Sequence, residues 1–457
     1  MISRLKIFST LTFFIAYGQT TFAQDDKPNV VIFFTDDQGY ADVGSFGATD
    51  FETPHLDQLA REGARFTSFY SASSVCSPSR AALLTGCYPM RVGLTDVLLP
   101  WTRQGLHSDE ITMAEMLKEN GYATACFGKW HLGHQKKFLP LQHGFDEYFG
   151  LPYSNDMRPD MDPEVHPNLP LIEGNEIVEY NPSQSLLTNQ YTDKAIDFIE
   201  RNKDEPFFVY LPYTMPHIPL YVSPEYRNRS KKGVYGDVIM EIDGSVGRIV
   251  DKLKALELEQ QTLVIFTSDN GPWLAYGSHG GNAFPLREGK FTTFEGGQRV
   301  PCIMWMPGNI EAGFESDQVM STIDLLPTIA SFTGATVPDH MIDGEDMSEV
   351  LTSKIESKEW DKPFYYLSED GLQAVRQGRW KLHRPHYYES VSVPGTDGRV
   401  GEGIENRISW ALYDLDEDIG EKINIADLHP EVVERLKNLM NQFEEEIESN
   451  QRPSGKI

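Results

Sequence analysis

Cysteine is scarce in this chain: Cys76, Cys87, Cys126 and Cys302 are the only four in 457 residues. So few, so scattered, exclude a disulfide framework and a thiolate zinc site. If Cys76 is consumed by oxidation, at most one disulfide can form among the other three. Positive charge is equally short. Forty lysines and arginines face 68 aspartates and glutamates, a net charge of −28. That balance excludes a general basic surface for nucleic acid or an anionic membrane, so an anionic substrate must be met by cations gathered locally. The apolar run Ile7 to Tyr17 is too short to cross a bilayer. With Arg4 and Lys6 before it and Thr21-Phe22-Ala23-Gln24 after it, it has the three parts of a secretory signal peptide cleaved after Ala23. No cysteine follows closely, so no lipid anchor is expected, and the protein reads as exported, periplasmic or extracellular.

Removing residues 1–23 leaves 434 of the 457 residues, more than one hydrophobic core usually holds. One large unit with a smaller companion is expected. Asn29-Val30-Val31-Ile32-Phe33-Phe34-Thr35 is continuously apolar rather than alternating, the pattern of a strand buried on both faces of a mostly parallel sheet. It ends in Asp36-Asp37. Thr262 to Ser268 repeats the pattern and ends in Asp269-Asn270. Carboxylates after a buried strand are costly unless something positive pairs them, and in open α/β sheets ligands bind at the carboxyl ends of strands. Asp36, Asp37, Asp269 and Asn270 are hard oxygen donors, which suits calcium, with magnesium second, and argues against zinc or copper.

Between them lies Val75-Cys76-Ser77-Pro78-Ser79-Arg80-Ala81-Ala82-Leu83-Leu84-Thr85-Gly86. Ser77 reads as an N-cap, Pro78 as the first helical residue and Gly86 as the stop. Cys76 then sits where free backbone N–H groups favour an anion, and Arg80 can add a forked cationic donor. A capping box at Thr112 to Glu115 opens a helix, and a strand over 122–127 delivers Gly128-Lys129-Trp130-His131-Leu132-Gly133. Residues 157–181 read as a long loop. A helix over 191–202 precedes a strand over 207–211 and the loop Met215-Pro216-His217-Ile218-Pro219. A long helix is expected over 235–256. From about Lys362, short strands over 364–368, 372–376, 380–383 and 411–414 and a helix over 431–447 are expected. Residues 386–408 read as an irregular insertion bordering a cleft.

The run C-S-P-S-R-A-A-L-L-T-G, with G-K-W-H-L-G at 128–133 and H-G-F-D at 143–146 in the same order, resembles the formylglycine-dependent type I sulfatases, in their arylsulfatase A-like branch. The resemblance covers nearly all of residues 28–450. It implies an α/β fold of the alkaline phosphatase superfamily, a large mixed, mostly parallel sheet sandwiched by helices. A smaller C-terminal α+β unit, an antiparallel sheet with a helix, would follow. The division implied is a signal peptide at 1–23, a catalytic domain at 24–361 and a subdomain at 362–457. Cys76 would be oxidised to formylglycine by a formylglycine-generating or anaerobic sulfatase-maturating enzyme, and would join Asp36, Asp37, Asp269 and Asn270 around the metal.

Arg80, Lys129, His131, His217 and Lys290 would be catalytic, and Ser154, Arg287 and His279 would face substrate. The activity implied is hydrolysis of sulfate monoesters, with a sulfated polysaccharide or oligosaccharide favoured for an exported enzyme bearing an acidic loop and aromatics. A phosphonate or phosphate monoester hydrolase is the alternative within the superfamily. A non-catalytic binder of sulfated glycans is the alternative if Cys76 stays unmodified.

Overall fold

Every residue of the strand Asn29–Thr35 is buried. Val31 and Phe33 enter one core while Val30, Ile32 and Phe34 enter another, as the two-residue period of a strand requires. In the computed structural model, which describes residues 27–352 and 362–457, this strand lies near the middle of a ten-stranded sheet. The order across the sheet is Phe314–Ser316, Ala64–Phe66, Cys302–Trp305, Thr262–Ser268, Asn29–Thr35, Phe207–Pro212, Ala123–Phe127, Glu147–Gly150, Pro170–Glu173 and Glu176–Tyr180. The five strands from Thr262–Ser268 to Glu147–Gly150 run parallel. Helices Pro54–Glu62, Gln184–Arg201 and Val234–Ala255 bury their apolar faces in the first core. Helices Cys76–Thr85, Met113–Glu119 and Leu325–Thr333 do so in the second. The chain is an α/β fold with a mixed, mostly parallel sheet between helical layers.

A separate four-stranded antiparallel sheet follows, in the order Phe364–Ser368, Gly371–Gln377, Trp380–His383, Ala411–Asp414. Helix Pro430–Asn450 closes it with Val433, Leu436, Met440, Phe443 and Ile447, one stripe at helical spacing. The boundary expected at 361/362 adjoins residues 353–361, and the expected signal peptide occupies residues 1–23. Both stretches lie outside the described residues.

Four local expectations are corrected. Within 157–181, strands Pro170–Glu173 and Glu176–Tyr180 form a hairpin rather than loop. Gly174 (φ 61°) makes its tight turn, and Leu171 and Ile172 are buried. The next helix begins at Gln184, not 191, because Leu187 and Thr188 continue its buried stripe. Ser77 does not cap its helix. The helix starts at Cys76 after an extended Val75, and Ser77 Oγ instead accepts the Leu98 N–H at 3.1 Å. Pro78 is tolerated there since the first turn leaves N–H groups unbonded anyway. Finally, 386–408 is an antiparallel ribbon, His386–Val393 against Glu402–Ile408. All four cysteines are free and buried.

Candidate active site

Register decides what meets at the carboxyl edge of the sheet. Thr35 pairs with Ser268, Phe34 with Pro212, and Cys126 with Tyr210, so the segments leaving four parallel strands emerge side by side. Gly128 and Gly150 permit the tightest approach. A Cβ on Gly128 (φ 142°) would lie 2.0 Å from Pro212 O, and one on Gly150 would lie 1.8 Å from Gly128 O. Only glycine fits at such contacts. Lys129 is thereby drawn against the Asp36 strand end.

The result is a buried cluster of alternating charge. Lys129 Nζ lies 2.6 Å from Asp36 Oδ2 and donates to Ser154 Oγ at 3.2 Å. Arg80 donates from Nε and Nη2 to Asp269 Oδ2 at 3.1 and 2.7 Å, and from Nη1 to Lys129 O at 2.8 Å. Its Nη2 also lies 3.5 Å from Asp36 Oδ1. Lys290 Nζ donates to Asp37 Oδ2 at 2.8 Å, Asn270 Nδ2 to Asp37 Oδ1 at 2.8 Å, and the Asp37 N–H to Asp269 Oδ1 at 3.1 Å. Asp36, Asp37 and His217 each place a ligating atom within 4.8 Å of the others. Arg80 is thus a brace between carboxylates as well as a cation beside Cys76.

Charges behave as this crowding demands. Burial opposes ionisation of Asp36, but Lys129 and Arg80 outweigh it and hold its carboxyl well below the usual range. Asp269 is pushed up to about 7 by burial and by the nearby Asp36. Three anions packed together favour a proton on one of them unless a further cation arrives. Burial works against the Lys290 ammonium, yet Asp37 and Cys76 raise its pKa above the ordinary value. Burial raises the Cys76 thiol, with Lys129 and Lys290 pulling it back. His131 is driven well below its usual pKa by burial and then by Lys129 and Arg80. Its Nε2 lies 2.9 Å from Leu98 O. A carbonyl only accepts, so Nε2 carries the hydrogen and Nδ1 is a free base. That Nδ1 is buried and unpartnered. His217 has the opposite arrangement, with Nδ1 donating to Ile218 O at 2.6 Å and Nε2 facing Asp37 Oδ2 at 3.6 Å.

The donor set fits a hard divalent cation. Asn270 Oδ1 is a buried oxygen with no hydrogen-bond partner, and Asp36 Oδ1 has only the Arg80 guanidinium at 3.5 Å, a costly state for Asn270 Oδ1 unless something positive joins it. Both belong to the all-oxygen set at the two strand ends.

Two residues expected to face substrate have their nearest partners outside the charged cluster. Arg287 donates to Glu421 O at 2.6 Å and to Tyr388 OH at 2.8 Å, with its guanidinium 4.0 Å from the Phe294 ring centroid. It fastens the Lys290 loop to the C-terminal ribbon. His279 lies at the end of the turn Leu274–His279, beside Gly398 of the ribbon. The ribbon does reach this region, because the Gly395 and Gly401 N–H groups both donate to Ala275 O, at 3.0 and 2.8 Å. Two aromatics were missed. Trp273 has its ring 5.7 Å from that of His217 and 4.6 Å from Lys290 Nζ, and Phe291 sits 5.2 Å from Trp273. Their positions, two residues after Gly271 and directly after Lys290, were the available signal.

The family model described as Sulfatase matches residues 28–335. The chain belongs to the sulfatase family. The C-terminal region of aryl-sulfatase matches residues 359–456. This sulfatase is 38% identical to arylsulfatase A of Bos taurus over 461 aligned positions, covering 94% of this chain and 90% of that protein. It is 41% identical to N-acetylgalactosamine-6-sulfatase of Canis lupus familiaris over 377 positions, covering 78% and 71%. Among solved structures it is similar to Ps i-CgsB in complex with k-i-k-neocarrahexaose, at TM-score 0.77 and 31% identity, covering 91% and 92%. It is a sulfuric ester hydrolase acting on sulfated substrates. No described helix is long and apolar enough to cross a membrane.

Proposed function

We propose that this sulfatase removes sulfate from a sulfated oligosaccharide or polysaccharide, with residue 76 as nucleophile after oxidation to formylglycine and calcium in the oxygen-lined site. The observation that carries the reading is the buried meeting of Cys76 with three cations and three carboxylates at the ends of parallel strands. Asp36, Asp37, Asp269 and Asn270 would hold the ion, which would draw charge from the sulfate oxygens. Formylglycine would supply, as its hydrate, one hydroxyl to attack sulfur and a second whose deprotonation releases sulfate and restores the aldehyde.

The chain's own groups handle charge and protons. Lys129, Lys290 and Arg80 neutralise the sulfate in a site closed to water, where each cation counts for more than in solution. Ser154 Oγ, held by Lys129, orients a sulfate oxygen. His131 Nδ1, lone-paired at neutral pH, takes the proton of the second hydroxyl. Lys290 Nζ, or His217 Nε2 in the doubly protonated ring that Asp37 Oδ2 faces, delivers a proton to the ester oxygen as the S–O bond to the alcohol breaks. N-acetylgalactosamine in one relative's name and the neocarrahexaose bound by the structural neighbour support a carbohydrate as that alcohol.

The test is sulfate release from N-acetylgalactosamine 6-sulfate, sulfated neocarrahexaose and an aryl sulfate, with an aryl phosphate alongside. Wild type should cleave at least one sulfated sugar and prefer sulfate to phosphate, and Cys76→Ala should abolish release without loss of folding. A preference for the phosphate ester would favour the phosphonate or phosphate hydrolase alternative. Turnover retained by Cys76→Ala would refute the nucleophile.

A further inference from the structure

Phe291 is the odd residue of the site. It follows Lys290 directly, its backbone is left-handed at φ 71°, and 43% of its surface is exposed. A bulky side chain rarely adopts that conformation, which is strained relative to the ordinary helical region. The surroundings enforce it. The Phe291 N–H donates to Ser74 O at 3.0 Å, two residues before Cys76, and the Lys290 N–H donates to Pro272 O at 3.0 Å. Lys290 is buried on Asp37, so its successor must turn outward.

The ring is braced. Its centroid is 5.2 Å from that of Trp273 at an interplanar angle of 73°, and Trp273 in turn meets Tyr276 at 4.9 Å and 77°. Lys290 Nζ lies 5.5 Å from the Phe291 centroid. The turn carrying Trp273 and Tyr276 is tied down by the two ribbon N–H groups on Ala275 O. An exposed aromatic face on rigid supports therefore stands one residue from a cation of the proposed sulfate pocket.

We propose that Phe291 is a substrate-binding platform on which the sugar ring bearing the sulfate ester lays its apolar C–H face. This rests on the reading above and names the part of the substrate recognised beyond the sulfate. A pyranose has one face rich in C–H groups, and an aromatic ring with a bound ring on it excludes water from both. Fixing that ring one residue from Lys290 limits how the ester can point. Trp273 lies nearer that cation, at 4.6 Å, but is less exposed than Phe291.

The test is binding, measured calorimetrically in a Cys76→Ala background so that no turnover intervenes. The ligands are N-acetylgalactosamine 6-sulfate, sulfated neocarrahexaose and inorganic sulfate. Phe291→Gly removes the ring and relieves the left-handed backbone, so the unfolding midpoint should not fall. It should weaken binding of a sulfated sugar about tenfold, the factor that 1.4 kcal/mol of lost stacking gives, and leave inorganic sulfate binding unchanged. Phe291→Trp should keep the sugar affinity. Equal losses for sugar and inorganic sulfate would make Phe291 a mere support of Lys290 and overturn the proposal. So would the absence of any difference between Phe291→Gly and its parent. Turnover by the intact enzyme tests the hydrolase reading separately. If no ester is cleaved while ring-dependent binding persists, that reading falls and the platform stands.

Discussion

Replacing Lys381 by methionine tests whether the C-terminal sheet helps hold the catalytic loop. Lys381 Nζ is fully buried between Glu295 Oε1 at 3.0 Å and Glu421 Oε1 at 2.9 Å, with the Tyr366 ring centroid at 3.8 Å. Glu421 in turn accepts the Glu295 N–H at 2.7 Å, and its carbonyl takes Arg287. Methionine keeps most of the volume and removes the charge, leaving two carboxylates facing each other in a dry interior. Removing one partner of a buried pair usually costs about 3–5 kcal/mol. The lower end applies here, about 3 kcal/mol, because Glu295 keeps Arg299 at 3.2 Å and Tyr70 and Tyr366 at 2.6 Å each, and Glu421 keeps His383 at 2.9 Å. Urea unfolding of wild type, Lys381→Met, Glu421→Gln and the double variant gives the coupling directly. The double variant should recover most of the loss, since it removes the excess charge as well as its partner. A Lys381→Met cost below about 1 kcal/mol, the range of an exposed pair, would refute the reasoning.

Two further outcomes follow from buried polar groups. Chelation should lower the thermal unfolding midpoint of the native protein and calcium should restore it, because an ion bound only by the folded state adds about 2.7 kcal/mol at a hundred times its dissociation constant. A midpoint indifferent to chelator and calcium would contradict the oxygen-lined site. His143, packed on Trp130 and without a hydrogen-bond partner, is pushed down to about 4 by burial and then by His107. Below its unfolded pKa of about 6.5 the unfolded chain binds a proton that the native state refuses, so this residue removes stability as pH falls from about 6.5 to about 4. Relative to His143→Phe, wild type should lose up to about 1.4 kcal/mol per pH unit across that window. A pH-independent difference in unfolding free energy would show the imidazole to be solvated.

Much of the fold was legible because its signals are local. The strand Asn29–Thr35 announces burial on both faces by lacking any alternation, and the capping box at Thr112 and Glu115 forms as its residues dictate. The meeting of Asp36 and Asp37 with Asp269 and Asn270 was legible for a different reason. Two apolar runs of the same kind ended alike, and parallel pairing of Thr35 with Ser268 brought the ends together. Long-range partners were not legible. Arg287 sits in a glycine-bounded loop beside Lys290, yet its hydrogen bonds go to Glu421 and Tyr388, over a hundred residues away, which no local spacing encodes. Arg80 likewise appeared free for an anion and is braced between Asp36 and Asp269. The hairpin Pro170–Tyr180 was missed because edge strands are short and Glu-rich, with little apolar period on the outer strand. Phe291 was passed over since nothing in sequence reveals a positive φ at a residue that disfavours it.

The central claim is that residue 76 of the active enzyme is an aldehyde facing an oxygen-lined ion site. Mass spectrometry of the peptide containing residues 76–80, taken from protein that releases sulfate, tests it most directly. Conversion of cysteine to formylglycine makes that peptide about 18 Da lighter by atom count, a covalent change of the chain itself. The account predicts the lighter peptide, in proportion to specific activity across preparations. Full activity from protein whose residue 76 carries the unaltered cysteine mass would contradict it.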